Sequence, residues 1–201
     1  MKYLIKTFLI GSFIFAQTPA DSLISGSETT SFQKLFLYPI ARWQNLSYSN
    51  DDLNCQFHPS CSNYSAQAIT KKGAIPGIIM TSDRIIRCNN YAYESHQKSK
   101  GSFHFDGRLN DPVILNRKIS SSKSPYIAAG LSMVVPGLGR FYGGRPYDGM
   151  FGFIITSLAL RVGINQIKEE SSFSPLFASI GLTIYTGEIY GAYRTAKHYT
   201  R

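Results

Sequence analysis

The sequence predicts a mainly α-helical protein, with a small amphipathic helical module that contains cysteines and a C-terminal bundle of about three short transmembrane helices. In the first half, apolar residues recur at steps of three or four, which is the spacing of one helix face. The second half holds three stretches without charge. The chain has only 21 basic and 12 acidic residues among 201, which is too few for a coiled coil or an acidic disordered chain.

Residues 1–20 are typical of an export signal. Lys2 and Lys6 precede an apolar run from Thr7 to Ala16, and small residues follow. A basic start, about ten apolar residues and a small-residue end predict a secretory signal peptide, cut after Ala16 or Ala20. The alternative is an uncleaved N-terminal anchor. Both direct the chain to a membrane.

The module is predicted over residues 32–90, after a polar linker at 21–31. Its first helix has apolar residues at helical spacing, namely Phe32, Leu35, Phe36, Ile40, Trp43 and Leu46. Pro39 is expected to kink this helix. Two interpretations stay open: an interfacial helix with Trp43 as aromatic anchor, or a core helix of a small domain.

Two further helices complete the module. Ser62 is expected to cap a helix over 63–72 that ends at Gly73. The next helix is predicted over about 75–87, with its isoleucines on one side. Both are basic, because they carry Lys71, Lys72, Arg84 and Arg87. Residues 91–124 have no periodicity and are predicted to be an irregular linker.

The membrane domain is predicted over residues 125–201. Its charge-free stretches are 125–139, 149–160 and 171–187. A span needs about 20 apolar residues and at least about 17, so only the third is long enough by itself. The second reaches this length over 149–167 if Arg161 extends to the interface. The alternative is a small soluble helical domain.

Three cysteines, Cys55, Cys61 and Cys88, are candidates for special chemistry. With His58 they make a set of four that could bind zinc. In an exported chain a disulfide is favoured instead, as Cys55–Cys61 or Cys61–Cys88. Free thiols are the third alternative. No metal site or cofactor is therefore predicted.

Catalysis and nucleic-acid binding are not expected. The sequence has no nucleophile elbow, zinc-protease motif, phosphate loop or dinucleotide fingerprint. The net charge of +9 is spread along the chain, which favours anionic lipid over nucleic acid as the partner.

The segment C-Q-F-H-P-S-C-S-N-Y at residues 55–64 resembles the membrane protein insertion efficiency factor family (YidD-like, also called the haemolytic-domain family). The resemblance covers about residues 34–90, and Asp111 echoes a later family motif. The matching positions are Cys55, Phe57, Pro59, Cys61, Ser62, Tyr64, Gly73, Gly77, Arg84, Arg87 and Cys88. It implies a small membrane-associated helper of the Sec/insertase machinery, without catalytic residues.

This chain departs from the family pattern at two positions, in the segment after Cys88, which is altered and stretched, and in its N-terminus. Gln56 replaces the usual basic residue and Ser60 replaces threonine. Family members usually work at the cytoplasmic face, whereas the export signal and the Lys/Arg bias place residues 21–124 on the extracytoplasmic side of the bacterial inner membrane. Three crossings are then expected after residue 124.

A second resemblance concerns the start of the C-terminal half. Residues 136–145 are similar to the hairpin of small membrane domains of unknown function. The residues that carry this likeness are Pro136, Gly137, Gly139, Tyr142 and Gly144. It implies membrane residence and no known chemistry.

The leading hypothesis is a non-enzymatic factor that assists insertion or assembly of membrane proteins. It would bind nascent hydrophobic segments, and its basic side chains would face lipid: Arg42, Lys71, Lys72, Arg84 and Arg87. The alternative is a membrane-perturbing (haemolysin-like) or structural envelope protein. A metal- or thiol-dependent enzyme is the third hypothesis.

Overall fold

The computed structural model describes residues 18–49, 55–115 and 122–199. The basic start and the apolar core of the predicted signal peptide lie outside the described residues. The described part is mainly helical, as predicted. Its helices are α1 (Pro19–Ser25), α2 (Ser31–Ser47), α3 (Cys61–Lys72), α4 (Ala74–Arg87), α5 (Ala92–Lys98), α6 (Pro125–Val134), α7 (Leu138–Tyr142), α8 (Pro146–Lys168) and α9 (Ser174–His198).

Helix α1 begins at Pro19, one residue before Ala20, which is one of the two predicted cleavage positions. The Thr18 side chain accepts a hydrogen bond from the Asp21 backbone, and Asp21 bonds back to Thr18, which makes a capping box. Ala20 is buried and donates its N–H to Gln44 Oε1 at 2.9 Å. The prediction of a plain linker at 21–31 is thus corrected. A cut after Ala20 would pass through α1, whereas a cut after Ala16 would leave it whole.

Helix α2 presents apolar side chains on two faces. Leu37 and Ala41 pack inward against α1 and α3. Phe32, Trp43 and Leu46 are more than half exposed. Pro39, which was expected to kink the helix, lies at an exposed position inside one continuous helix. One face of helix α2 is therefore core, as one interpretation expected, and the other is an exposed aromatic and aliphatic surface, which the interfacial interpretation requires.

Helices α3 and α4 form a hairpin whose corner is a glycine. Ser60, not Ser62, caps α3 by accepting the Asn63 N–H. Gly73 ends α3 with a φ of 92°, a conformation that side-chain-bearing residues rarely adopt. Gly77 lies where α4 crosses α3, and a Cβ there would stand 2.5 Å from the Ile69 Cα atom. The close crossing of the two helices depends on that glycine.

The segment predicted as an irregular linker, 91–124, has regular structure in part. It contains α5 and the strand β2 (Leu109–Asn110), which pairs in parallel with β1 (Phe57–His58). Phe57 and Leu109 are opposite each other and fully buried with Ala92. This pairing holds the segment against the N-terminus of α3 and brings Asp111 to the core.

The described part of the C-terminal half, residues 122–199, contains four helices. Helix α6 has 10 residues and α7 has 5. At about 1.5 Å per residue, α6 covers only about half of a bilayer core. Among the described residues, α8 alone is long and apolar enough to cross a membrane. Three transmembrane helices are therefore not confirmed.

The two halves of the protein contact each other through α4 and α9. Gly187 of α9 faces Ser82 of α4, and the helices α8 and α9 form a long hairpin. The C-terminal half of α9 packs on α4, α6 and α7, while its N-terminal half extends away along α8. Cysteine module and C-terminal helices thus share one interface.

Candidate functional site

An apolar groove lies between the cysteine module and the α8–α9 hairpin. Its volume is about 640 Å³. Aliphatic side chains from α2, α4, α8 and α9 line it, together with small hydroxyl residues, and among them are Ile40, Ile75, Ile78, Ile85, Ile155 and Ile180. Ile75 and Ile85 are more than half exposed. Aliphatic and small hydroxyl side chains are what a transmembrane helix packs against.

The basic residues predicted to face lipid fall into two groups. Arg42, Lys71 and Lys72 are exposed, as that role requires. Arg84 and Arg87 are fully buried, at 0% and 2% exposure. Their prediction as lipid-facing charges is wrong, because both point into the core, where carboxylates bind them.

The family-like motif builds a cage around Arg84. Its guanidinium lies over the Phe57 ring at 4.1 Å and over the Tyr64 ring at 4.6 Å. It also donates to the Pro59 carbonyl at 2.8 Å and to Asp111 at 2.6 Å. A buried charge is costly unless it is paired and hydrogen-bonded. These four partners meet that need, and Asp111 completes the cage from outside the motif.

Arg87 connects this cage to a second carboxylate. It donates to Asp111 at 2.6 Å and to Asp83 at 3.1 Å. Burial alone would raise the pKa values of both acids. Nearby guanidinium groups outweigh that effect and hold the pKa of Asp83 below, and the pKa of Asp111 well below, the usual range. Both carboxylates are therefore charged at neutral pH.

The C-terminal helices add two arginines to the same network. Arg194 of α9 donates to Asp83 at 3.1 Å and to Asp111 at 2.9 Å. Arg140 of α7 donates to Asp83 and to Glu188, each at 2.8 Å. Ion pairs thus cross from the cysteine module to the C-terminal helices inside the protein.

The hairpin residues are held against this network. The Gly137 N–H donates to Glu188 at 3.1 Å, and Gly137 has a φ of 86°. Gly139 touches Ala128 of α6, while Tyr142 accepts a hydrogen bond from the Ser124 N–H at 3.2 Å. Pro136 is half-buried and Gly144 is exposed. The geometry here is that of a tight turn.

The cysteines form a cluster of three thiols. Cys55 precedes β1, Cys61 is the first residue of α3, and Cys88 follows α4. Their sulfur atoms all lie within 4.8 Å of one another, and the Cys55 and Cys61 sulfurs are 3.5 Å apart. His58, which the sequence grouped with them, does not join this cluster. Ser62, the second residue of α3, accepts a hydrogen bond from Gln44 Nε2 at 3.4 Å.

His58 belongs to a separate group on the surface of the module. Its ring stacks on His104 at 3.6 Å between centroids. His104 contacts Asp106 at 2.9 Å, and Asp106 pairs with Arg108. Burial and the neighbouring His104 and Arg108 lower the pKa of His58.

Sequence reasoning missed most of the buried network. Asp83, Arg140, Glu188 and Arg194 had no assigned role, although a charge within an apolar segment is a signal for an inward-facing pair. Glu188 follows a charge-free stretch of 17 residues, 171–187. Apart from Asp83 and Arg87, which are one helical turn apart, the partners are 24 to 111 residues apart in the chain, so only the fold pairs them.

Comparison with known proteins identifies relatives of the first half. Residues 32–99 match the profile of the family described as "Putative membrane protein insertion efficiency factor". The similar proteins with that name include one from Rickettsia felis, 47% identical over 38 residues, which are 19% of this chain and 46% of the relative. One from Staphylococcus aureus (strain JH1) is 33% identical over 91 residues, 45% of this chain and 91% of the relative.

A third relative, from Streptomyces avermitilis, is 50% identical over 38 residues, which are 19% of this chain and 32% of the relative. The chain thus spans about half or less of the Rickettsia and Streptomyces relatives, but most of the staphylococcal one. No solved structure matches. The match to a nearly complete relative shows that the chain belongs to the membrane protein insertion efficiency factor (YidD) family.

Proposed function

We propose that this protein is a non-enzymatic factor that assists insertion or assembly of membrane proteins beside the Sec/insertase machinery of the bacterial inner membrane. The observation that carries the proposal is the apolar groove between α4 and the α8–α9 hairpin. It is open to the surroundings, and exposed isoleucines border it. An apolar helical segment of a nascent membrane protein is the occupant that fits this lining.

The exposed surfaces support residence at a bilayer. Trp43 and Leu46 of α2 are 54% and 68% exposed, and an amphipathic helix of this kind lies in the interfacial plane. Arg42, Lys71 and Lys72 are exposed near it. Each would contribute about 1 kcal/mol beside an anionic lipid surface. Helix α8 is long and apolar enough to cross the bilayer.

We infer that the protein shields an apolar segment of its client from water and does not catalyse a reaction on it. A nascent apolar helix that leaves the translocation machinery needs a partner until it packs with other helices. The groove offers aliphatic contact with few polar groups, and residues 21–124 would present it from the extracytoplasmic side. In this proposal residues 32–90 and 125–201 are two domains, and the groove lies at their interface.

Site-specific photocrosslinking tests this function. A photoreactive amino acid replaces Thr81, which lines the groove, or Phe105, which is 95% exposed and lies outside it. Newly made membrane proteins should crosslink from position 81 and not from 105. Crosslinking that is equal from both positions, or absent from both, contradicts the groove as the client site.

Charge placed in the groove gives the matching functional test. Ile85→Asp changes an exposed groove residue, so the fold is preserved, and Phe105→Asp is its matched control. We expect Ile85→Asp to reduce insertion of pulse-labelled membrane proteins several-fold and Phe105→Asp to leave it unchanged. If insertion is normal in both strains but purified protein makes vesicles leak, the membrane-perturbing alternative is correct instead.

A further inference from the structure

The three cysteines come from different parts of the chain and meet at one point. Cys61 and Cys88 are 27 positions apart by number, and the α3–α4 hairpin with β1 brings their thiols together beside Cys55. On one side, Cys55 and Cys61 pack against the buried Phe57, Ala92 and Leu109. On the other side Cys88 is exposed. The cluster therefore has a shielded wall and an open side.

We propose that Cys55, Cys61 and Cys88 form a binding site for one thiophilic closed-shell metal ion of the Zn²⁺ or Cu⁺ class. Thiolate ligands select such ions. The site is independent of the groove and of the proposed insertion function.

The spacing of the sulfur atoms fits this coordination. With metal–sulfur bonds of about 2.3 Å, the sulfurs of a tetrahedral or trigonal site are about 3.8 to 4.0 Å apart. The three sulfurs here lie within 4.8 Å of one another, with one pair at 3.5 Å. Adjustments of less than about 1 Å would complete the site. A disulfide would use only two sulfurs and leave the third thiol beside it without a role.

The surrounding donors favour bound thiolates. The Cys61 N–H donates to the Cys55 sulfur at 3.3 Å, and Gln56 Nε2 lies 3.6 Å from the Cys88 sulfur. Donors around the ligands orient them and strengthen a metal site. Three protein sulfurs suffice for Cu⁺ in trigonal geometry. Zn²⁺ would take a water on the open side at Cys88 as its fourth ligand.

Binding is accompanied by loss of protons from the thiols. Each cysteine that binds releases its proton to solvent, and no electron is transferred. The His58, His104 and Asp106 group is a second candidate cluster on the same module. It includes a carboxylate already paired with Arg108, so the thiol cluster is the site we assign.

The test uses the full chain purified in detergent and kept reduced under anaerobic conditions. Co²⁺ is added as a spectroscopic probe for Zn²⁺, and Cu⁺ is supplied from a coloured chelator. We expect one ion per chain, a thiolate-to-Co²⁺ charge-transfer band that Zn²⁺ removes, or transfer of one Cu⁺ from the chelator. The ion that binds more tightly identifies the class of metal that the site takes.

Serine variants and a histidine control locate the site. Cys88→Ser changes an exposed side chain and should leave the helical circular dichroism unchanged while it weakens binding at least tenfold. Cys55→Ser and Cys61→Ser should do the same. His58→Ala should bind as the wild type does. Metal should raise the unfolding temperature of the wild type and not of Cys88→Ser.

Two results would overturn the assignment. One is a reduced wild-type protein that gives no charge-transfer band with Co²⁺ and takes no Cu⁺ from the chelator. The other is thiol trapping in cells that recovers the chain with a Cys55–Cys61 disulfide and no bound metal. Loss of metal binding with normal insertion activity would leave the proposed function standing, so the two proposals fail separately.

Discussion

Residues of the same charge have opposite roles in this protein. Lys71 and Lys72 end α3 at the surface, whereas Arg84 and Arg87 lie in the core. Guanidinium groups present several donors in a plane and stack on aromatic rings, which suits them to a buried cage. The charge of Arg84, which contacts two aromatic rings and Asp111, therefore stabilises the fold. The lysines remain available to contact lipid.

Asp111 is the residue whose loss should cost most. It accepts hydrogen bonds from Arg84, Arg87 and Arg194, and from the Tyr199 hydroxyl at 2.6 Å. Asp111→Asn removes the carboxylate charge that neutralises these buried guanidinium groups. We expect a loss of about 3 to 5 kcal/mol in the free energy of unfolding. Denaturant unfolding in detergent, followed by circular dichroism, measures it.

The pH dependence should report the same carboxylate. Because the arginines hold the pKa of Asp111 well below its usual range, its charge stabilises the fold at any pH above its unfolded pKa of about 3.9. This stabilisation is lost as the pH falls from there toward the folded pKa. The difference in the free energy of unfolding between wild type and Asp111→Asn should therefore narrow below about pH 4. Glu94→Gln, which removes the exposed pair with Lys98, should behave as wild type, and a constant gap would contradict the proposed charge pairing.

At the scale of elements, close helix crossings determine the shape of the module. Helix α4 contacts α3 at Gly77 and α9 at Ser82 and Asp83, so it is the element that joins the two halves. Its exposed isoleucines form one wall of the groove. The position of α4 thus determines both the charge network and the groove.

Gly77→Ala should separate α3 from α4. A Cβ would stand 2.5 Å from the Ile69 backbone, which cannot move without shifting α3. We expect a loss of about 1 to 3 kcal/mol in the free energy of unfolding. Gly130→Ala is the matched control, because a Cβ there meets nothing within 4 Å. As alanine favours helices over glycine by up to about 1 kcal/mol, the control should be neutral or stabilising. Equal losses from both changes would argue against the crossing.

For the molecule as a whole, the buried charges and the exposed apolar surface occupy different regions. The charge network lies where α4, α7 and the C-terminal half of α9 meet. Helix α8 and the N-terminal half of α9 extend from it with exposed residues such as Leu158, Ile167 and Leu176. Between α8 and α9, the turn carries Glu169 and Glu170. This arrangement predicts that the turn and the α5 end of the module, which lies beside the start of α8, are on opposite sides of a bilayer.

Cysteine labelling on intact cells tests that topology. Glu94→Cys marks the module and Ser172→Cys marks the turn, each in a Cys88→Ser parent whose own labelling is subtracted; both positions are exposed. We expect an impermeant maleimide to label position 94 in intact cells and position 172 only after lysis. Labelling of both in intact cells would mean that α8 does not cross. The reverse pattern would place the module at the cytoplasmic face.

The sequence alone determined the helical class, the extent of α4, the family motif and the three cysteines, because each is expressed in local spacing. It could not determine that Arg84 and Arg87 turn inward, since their shared partner Asp111 is 27 and 24 positions away. Nor could it show that His58 lies apart from the thiols, because the side chains of successive residues in a strand point to opposite faces. The groove likewise exists only where α4 meets the α8–α9 hairpin. Long-range pairing and burial depend on the tertiary fold, and the local pattern carries no record of them.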